Sequence, residues 1–586
     1  MARTASKPLE PDPKEGALAH TLGVPDLVAR VLLARGFDDP ELVRRLLRPD
    51  LRALHDPFMF RDMDKAVDRI RRAIRNGESI LIHGDYDVDG ITGTVLLHKF
   101  FQLLHVTSKC HIPARADGYS ISKASVAAIL AGGHRLVISV DNGTNACEAI
   151  DELQRRGIDV IVTDHHGTSE NVAAAYAILN PRLPDSGYPD RNLAGCGVAF
   201  RLAAAIAASF SGTMLQSPEF ADFLTDAVGL IALGTVADVA PLTGENRTLV
   251  FHGLRALSQS RNPGIRALLD SAGLAHRGID TGDIAFRIAP LINAAGRMGH
   301  AIEAVQLLTA PGMAEAQVQA AILERFNEER RATERVMQDE VMRAAAEITA
   351  PAIVLGKDDW HPGVLGIVAA RAAETFGKPA ILISFEGGTG RGSGRCNTGL
   401  HLRDALAACS DLLESHGGHA AAVGLEVRRD NFDAFCRRFE AVCDELPANA
   451  PTFYDGPASF TDLDPHTVRR LDMLAPFGTG HPRPRFLTGG VMSVGNPTSD
   501  VRGQDLRIRV TKDGQVMPAR LIRGMRRFEE LRNHRGPWTL LYSPRISSRG
   551  EEGPVLLEIH EMTAEAAPSN GPATAAAPPE GPKYTP

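Results

Sequence analysis

At 586 residues the chain is too long for one hydrophobic core, so roughly two to four domains are expected. Hydrophobic residues make up 44% and charged residues 23%, and no apolar run approaches the roughly 18 residues of a membrane span, which argues against a membrane-embedded protein. The net charge of −7, from 64 basic and 71 acidic residues, excludes a whole-chain attraction to nucleic acid, so any such site must be locally basic. The seven cysteines (Cys110, Cys147, Cys196, Cys396, Cys409, Cys436 and Cys443) are scattered, with no C-x-x-C pair, and read as reduced thiols. Met1 to His20 carries no apolar signal-type stretch, so a cytoplasmic location is expected.

In chain order, residues 1–77 read as a polar tail and a helical segment, with Leu27, Val31 and Leu32, then Ala66, Ile70 and Ile74, at helical spacing. Residues 78–310 alternate short apolar runs (Ser79 to His83, Lys109 to Ile112, Leu136 to Val140, Asp159 to Thr163, Ala177 to Leu179) with helices. That pattern predicts a doubly wound parallel sheet. Residues 311–349 lack glycine after Gly312 and predict one long connecting helix, its apolar face including Val318, Ile322, Phe326 and Met337. A smaller α/β domain is expected over 350–446, with strands at Ala352 to Leu355 and Ala380 to Ser384 around a Val364 to Phe376 helix. Over 447–563, five strand-like segments (Val491 to Val494, Leu506 to Val510, Val516 to Leu521, Thr539 to Tyr542, Val555 to His560) suggest an OB-like β-barrel. From Ala564 the Ala/Pro/Glu tail over 564–586 is expected to be disordered.

The chemistry concentrates where apolar runs end. Leu81-Ile82-His83-Gly84-Asp85-Tyr86-Asp87-Val88-Asp89 carries three aspartates at alternate positions, which repel one another unless a cation neutralises them. Further runs end at Asp141-Asn142-Gly143 and Asp164-His165-His166, and Asp238 interrupts an apolar stretch. A single strand-end aspartate more often caps a helix. Four such clusters fit a parallel sheet whose crevice lies at the carboxyl ends of its strands. Oxygen donors outnumber imidazoles, favouring Mn²⁺ or Mg²⁺ over zinc. Two such ions, roughly 3.5–4 Å apart, suit phosphodiester hydrolysis.

The strings HGDYDVDGIT, DNG, TDHH and GTVADVAPL resemble the four motifs of the DHH phosphoesterases, in order and at family spacing. NLAGCGVAF, IAPLINAAGRM, WHPG, GSGR, GGHA and PFGTG resemble the RecJ nucleases within that family, over about residues 24 to 560. The resemblance implies a DHH domain, a connecting helix, a DHHA1 substrate-binding domain and an OB-like nucleic-acid-binding domain. It implies that His83, Asp87 and Asp141 hold one metal and that Asp89, Asp141, His165 and Asp238 hold the other. His166 would stabilise the transition state at the scissile phosphate, and Asp85 and Asp164 would orient ligands.

Arg115, Arg297, Ser393 and Arg395 are the implied contacts to the 5′ end of the strand, with His419 nearby. The implied activity is 5′ to 3′ digestion of single-stranded DNA to 5′-mononucleotides, in repair and recombination. Single-strand-binding protein and a RecQ-type helicase are the implied candidate partners, and a monomer is expected. An oligonucleotide or cyclic-dinucleotide phosphodiesterase, or a non-catalytic replication scaffold of the same fold, are the alternatives.

Other features read both ways. Gly417-Gly418 could as well end a helix, and Trp360 is expected in a core. The basic run Arg502 to Arg535 suits a tracking surface for single strands, with Phe528, Trp538 and Tyr542 as its sparse aromatics, or a solvated face. Three departures from the family pattern stand out: a Arg115 to Tyr119 segment one residue short, His481 in place of Asn, and Cys396 in place of Ser.

Overall fold

A computed structural model describes residues 13–115, 118, 120–168, 171–210, 217–445, 453–500, 505–534, 536–547 and 553–565. Tyr119, Arg502, Arg535 and the tail beyond Glu565 lie outside the described residues. The chain divides into two compact units: Arg48–Pro451 with Ala475–Pro482, and Met1–Leu47 with Thr452–Leu474 and Arg483–Pro586.

In the first of these units the apolar runs form five parallel strands: β1 Ile80–Gly84, β2 Ser108–His111, β3 Leu136–Val140, β4 Asp159–Thr163 and β5 Ala177–Leu179. Their spatial order is β2-β1-β3-β4-β5, a doubly wound sheet. Ile80, Ile82, Leu136 and Ile138 face a core built with the helices Val88–Leu103, Gly195–Ala208 and Pro218–Ala237. Leu81, Val137, Val160 and Val162 face the other way, against Ile129, Ile150 and Leu153. Burial on both faces is why these strands read as continuous apolar runs. Strand order reverses between β1 and β3, so a crevice opens there at the carboxyl ends. The helix Pro218–Ala237 is long and apolar enough to cross a membrane by length and composition, yet its Phe223, Leu230, Ile231 and Leu233 are buried in this core.

The connecting helix spans Met313–Ala346. Its Ala316, Ala320, Leu323 and Phe326 pack on the first core, and Met337, Val341 and Ala345 on the second domain, so one element braces both. Val318 is 62% exposed, contrary to expectation. The buried stripe instead runs through polar Asn327, Arg330 and Glu334, which satisfy one another: Arg330 donates to Asn327 Oδ1 (3.0 and 3.2 Å) and Glu334 Oε2 (2.5 Å).

The second domain carries β6 Ile353–Lys357, β7 Ala380–Glu386, β8 Thr389–Arg395, β9 Leu413–Gly418 and β10 Ala422–Arg428, in the order β6-β7-β8-β10-β9. Only β6 and β7 are parallel. Trp360 is in the core, as expected, its indole N–H donating to Glu340 (3.1 Å). Gly417-Gly418 ends neither helix nor loop but strand β9, and Gly418, at φ 124°, opens the hairpin to β10.

In the other unit β11 Gly456–Pro457, β12 Phe486–Ser499, β13 Leu506–Lys512, β14 Gln515–Leu521, β15 Trp538–Ile546 and β16 Val555–Ala564 form a sheet closed by pairing of β12 with β15. Register shifts in β12 let one strand serve two neighbours, which closes the barrel. Ala564 belongs to β16, and Glu565 accepts from Gly490 N–H (2.7 Å) and Thr539 Oγ1 (2.7 Å), so the ordered chain runs past the expected start of the tail. The helix Asp26–Ala34 is tied to this unit by Arg35, which donates to Asp455 at 2.7 and 3.0 Å.

One expectation for the barrel is corrected. Trp538 and Tyr542 are fully buried, because alternate residues of β15 point inward, so neither offers a stacking face. The basic run is partly neutralised in place by Arg520–Glu558, Arg527–Glu530 and Arg532–Glu529 pairs. Arg507, Arg509 and Arg520 nevertheless line one groove of about 430 Å³ with Val494 and Ile508.

Candidate metal centre and phosphate clamp

Each acidic cluster starts where a strand stops, and the sheet ladder continues one rung further. Asp85 N–H donates to Val140 O (3.2 Å), Asp141 N–H to Thr163 O (2.8 Å) and Asp164 N–H to Leu179 O (3.0 Å). The three acids therefore stand in a row along the carboxyl edge. Asp141 pays for this with φ 62°, a left-handed conformation rare outside glycine. Asp87 caps the helix Val88–Leu103, its Oδ1 accepting from Asp89 N–H (3.0 Å) and Gly90 N–H (3.1 Å). Asp238 ends the helix Pro218–Ala237.

These positions bring the implied carboxylate ligands and His165 together, while His83 belongs to none of the donor groups among the described residues. His165 Nε2 lies 3.1 Å from Asp141 Oδ1 and 3.7 Å from both Asp89 Oδ2 and Asp238 Oδ2. Donor atoms of Asp85, Asp87 and Asp141 also fall within 4.8 Å of one another, as do those of Asp141, His165 and His166. His83 is fully buried beside the His111 ring (5.2 Å between centroids). Neither of its ring nitrogens has a hydrogen-bond partner among the described residues, and nor does Asp85 Oδ1.

Burial and neighbouring carboxylates push Asp85 and Asp141 well above the usual carboxylate range and Asp238 up to about 8. Burial pushes His83 down to about 3 and His165 to about 4, so both are neutral, as ligands must be. Orphaned donors, neutral imidazoles and crowded acids fit divalent cations.

The surroundings hold these groups in place. Asp164 Oδ1 accepts from His166 Nδ1 (2.8 Å) and from the N–H groups of His165 and His166, and Oδ2 from Thr144 N–H (3.0 Å). Burial opposes a charge on His166, but Asp164, with Asp238 and Asp87 behind it, outweighs burial and lifts His166 to about 9.

Several contributors were missed in the sequence. Both oxygens of Asp89 accept from the first turn of the helix Gly195–Ala208, Gly195 N–H at 2.8 Å and Cys196 N–H at 2.9 Å. Asn180 Nδ2 donates to Thr144 Oγ1 (2.9 Å) and His166 O (3.0 Å), and Arg182, next in the Asn180-Pro181-Arg182 run after β5, lies within electrostatic reach of His165, Asp238 and His419. The legible signal was one more polar cluster closing an apolar run.

A Cβ on Gly195 would lie 2.6 Å from Asp141 Oδ1, and one on Gly234 2.7 Å from Asp89 Oδ1. Gly195→Ala is therefore expected to weaken Mn²⁺ binding by roughly 10–100-fold, as outer-ligand changes do. Titration calorimetry on the folded variant checks it, and unaltered affinity would mean that Asp141 is not a ligand.

The second cluster is cationic. Ser393 and Arg395 sit two apart on β8, with Arg395 Nη1 3.0 Å from Ser393 Oγ. Gly366 makes room for them, since a Cβ there would meet Arg395 Nη2 at 2.6 Å. Arg297 Nη1 donates to Gly363 O (2.9 Å), and Arg115 stacks on the Tyr86 ring at 4.2 Å. Burial and the nearby Arg115, Arg330 and Arg395 push Arg297 down to about 10. Three guanidiniums and a hydroxyl gather here, a chemistry suited to an anion. His419, exposed near the β9–β10 hairpin turn, is in electrostatic reach of His166. Of the departures from the family pattern, His481 is buried and stacked on Phe477, and Cys396 lies 3.2 Å from Thr398 Oγ1.

An acid-and-histidine row at the switch point of a doubly wound sheet, joined by a long helix to a second domain bearing an arginine clamp, defines the DHH class of phosphoesterase. Residues 79–235 match the DHH family N-terminal domain, 347–445 the DHHA1 domain and 454–559 the RecJ OB domain. The chain is 36% identical to the single-stranded-DNA-specific exonuclease RecJ of Dickeya dadantii, over 79% of this chain and 83% of that protein. It is 33% identical to the Bacillus subtilis exonuclease of the same name, over 81% of this chain but only 60% of that longer protein. The crystal structure of Thermus thermophilus RecJ in complex with Mn²⁺ superposes with a TM-score of 0.79 at 29% identity, covering 97% of this chain and 80% of that one. The chain belongs to the RecJ family.

Proposed function

We propose that this chain hydrolyses single-stranded DNA from the 5′ end to 5′-mononucleotides, using two divalent cations, Mn²⁺ or Mg²⁺, in DNA repair and recombination. The observation that carries the reading is the meeting of five aspartates and two histidines from distant stretches at one sheet edge, in a chain that also folds an arginine–serine clamp. The relatives named above are single-stranded-DNA-specific exonucleases, and one of them holds Mn²⁺.

His83, Asp87 and Asp141 would hold one cation and Asp89, Asp141, His165 and Asp238 the other, with Asp85 close enough to join the first set. When bound, the pair supplies charge neutralisation at the phosphodiester and acidifies the attacking water. The protein's own groups do the rest. His166, held cationic and oriented by Asp164, donates to a phosphoryl oxygen as negative charge grows on it. Arg115, Arg297, Ser393 and Arg395 grip the terminal phosphate, and His419 assists. The clamp is what gives the reaction its end and polarity. The matched OB domain favours this reading over a short-oligonucleotide phosphodiesterase, and the gathered acids and histidines favour it over a scaffold. By resemblance, single-strand-binding protein and a RecQ-type helicase are the partners, and the chain works as a cytoplasmic monomer.

Digestion of end-labelled single- and double-stranded DNA tests the reading. Mononucleotide release from single strands alone, dependent on Mn²⁺ and stopped by EDTA, is expected. Undiminished activity in EDTA would refute it. For the clamp, Arg395→Met should cost roughly 10–100-fold in kcat/KM on a 5′-phosphorylated strand, a loss of one charged hydrogen-bonding group. On a 5′-hydroxyl strand it should cost little, and equal losses on both would remove Arg395 from phosphate binding.

A further inference from the structure

Beside the centre lies a cavity of about 540 Å³ that shares only Arg297 with the arginine clamp and none of the acids and histidines of the metal row, within the usual size of a ligand pocket. Three local irregularities surround it. Val239, directly after Asp238, is a β-branched residue at φ 60° and is 65% exposed. Such strain persists only where the surroundings enforce it. Phe286 sits on a π-helical turn, Ile284–Ile288, and is 80% exposed, an apolar ring that contributes nothing to the core. Phe477 lies parallel to the buried His481 ring, 5.9 Å between centroids and 8° between planes. Its segment is fixed in place: Thr281 Oγ1 donates to Phe477 O (2.7 Å), Arg247 to Pro476 O (2.9 Å), and Leu242 N–H to Thr479 O (2.7 Å).

The walls name the occupant. One side is Val236, Ala237, Val239 and Ala240, the residues flanking Asp238, and Arg297 and Arg330 also line the cavity, so it adjoins both halves of the site. Two aromatic faces, aliphatic walls, no carboxylate and two guanidiniums suit a flat uncharged ring attached to an anionic backbone. Apart from the two guanidiniums, Thr281, Asn293 and Thr479 are the polar side chains of the lining, and the rest is apolar.

We infer that this cavity seats an unstacked nucleobase of the strand being digested, with Phe286 as a stacking face and Val239 and Phe477 as its walls. The inference rests on the nuclease reading above. Seating a base there draws the adjoining phosphate toward Arg297 and favours strands whose bases are already unpaired.

The test uses the full chain with Mn²⁺ and single-stranded oligonucleotides carrying one abasic sugar, placed at each position in turn from either end. In the wild type one position near the cleaved end should slow digestion by roughly ten-fold, the scale of one lost base–aromatic stack. Phe286→Ala should raise KM on intact strands by a similar factor, change kcat far less, and erase the sensitivity to that position. Phe286→Trp should restore both. Because Phe286 is so exposed, its removal leaves the fold intact, and a thermal melt confirms that. Digestion by the wild type with no position-dependent abasic effect, or an unchanged KM in Phe286→Ala, would overturn the pocket while leaving the nuclease standing. A wild type that digests nothing would overturn the nuclease reading itself.

Discussion

Asp141→Ala is expected to lower kcat on single-stranded DNA by on the order of 10⁴-fold, about 5 kcal/mol of transition-state stabilisation, because it removes the carboxylate that, on the proposed reading, both cations would use. Single-turnover digestion under saturating Mn²⁺ measures it. The same position should behave in the opposite sense in stability. Asp141 is pushed well above the usual carboxylate range by burial and by Asp89, Asp87, Asp238 and Asp85, so without metal its charge opposes folding. Asp141→Asn should then stabilise the metal-free protein near neutral pH.

The sign follows from linkage. An acid whose folded pKa is raised keeps its proton longer in the folded state, so its contribution is present at low pH and is lost as pH rises past the unfolded value. For this cluster the loss begins near about pH 4 and runs towards about 8, where Asp238 is held. His83 and His165, held down, contribute in the opposite sense below about 6.5, so the direct reading is the difference: in EDTA the stability gain of Asp141→Asn over the wild type should grow across that window, and Mn²⁺ should stabilise the wild type more than the variant.

The second large effect concerns His166. His166→Ala should reduce kcat by roughly 10²–10³, the usual loss for one preorganised donor to a developing oxyanion, while Mn²⁺ affinity changes much less. Since His166 is held charged up to about 9, wild-type kcat should fall as pH climbs through that value. Asp164→Asn removes the main partner that sustains the charge, so the falling limb should move down towards the ordinary imidazole value of about 6.5. A loss confined to Mn²⁺ affinity would instead make His166 a metal ligand, which its closeness to Asp141 and His165 allows.

The row of acids was legible because a strand buried on both faces leaves a plain apolar signature, and the first polar residue after it falls at the carboxyl edge whatever the tertiary details. Their holders were not. Gly195 and Cys196 bind Asp89 across more than a hundred residues of sequence, and nothing local in NLAGCGVAF tells that its helix start points at a carboxylate. The antiparallel half of the second domain was equally silent. GTGRGSGR and LESHGG have weak strand propensity and are drawn into the sheet by pairing with the apolar strand β7 and with β10. The face of the connecting helix was misjudged for a related reason. A hydrophobicity pattern cannot see that Arg330 and Glu334 are buried as a pair while Val318 is left outside. Likewise Trp538 and Tyr542 looked available for stacking only until the barrel's alternation turned them inward.

The most direct measurement is anomalous diffraction at the manganese edge from crystals of the chain grown with Mn²⁺. Two peaks at the β1–β3 switch point are expected, one against Asp87 and Asp141 and one against Asp89, His165 and Asp238, with both weakened in Asp141→Asn. Peaks only elsewhere on the surface, or none at that edge, would contradict the account.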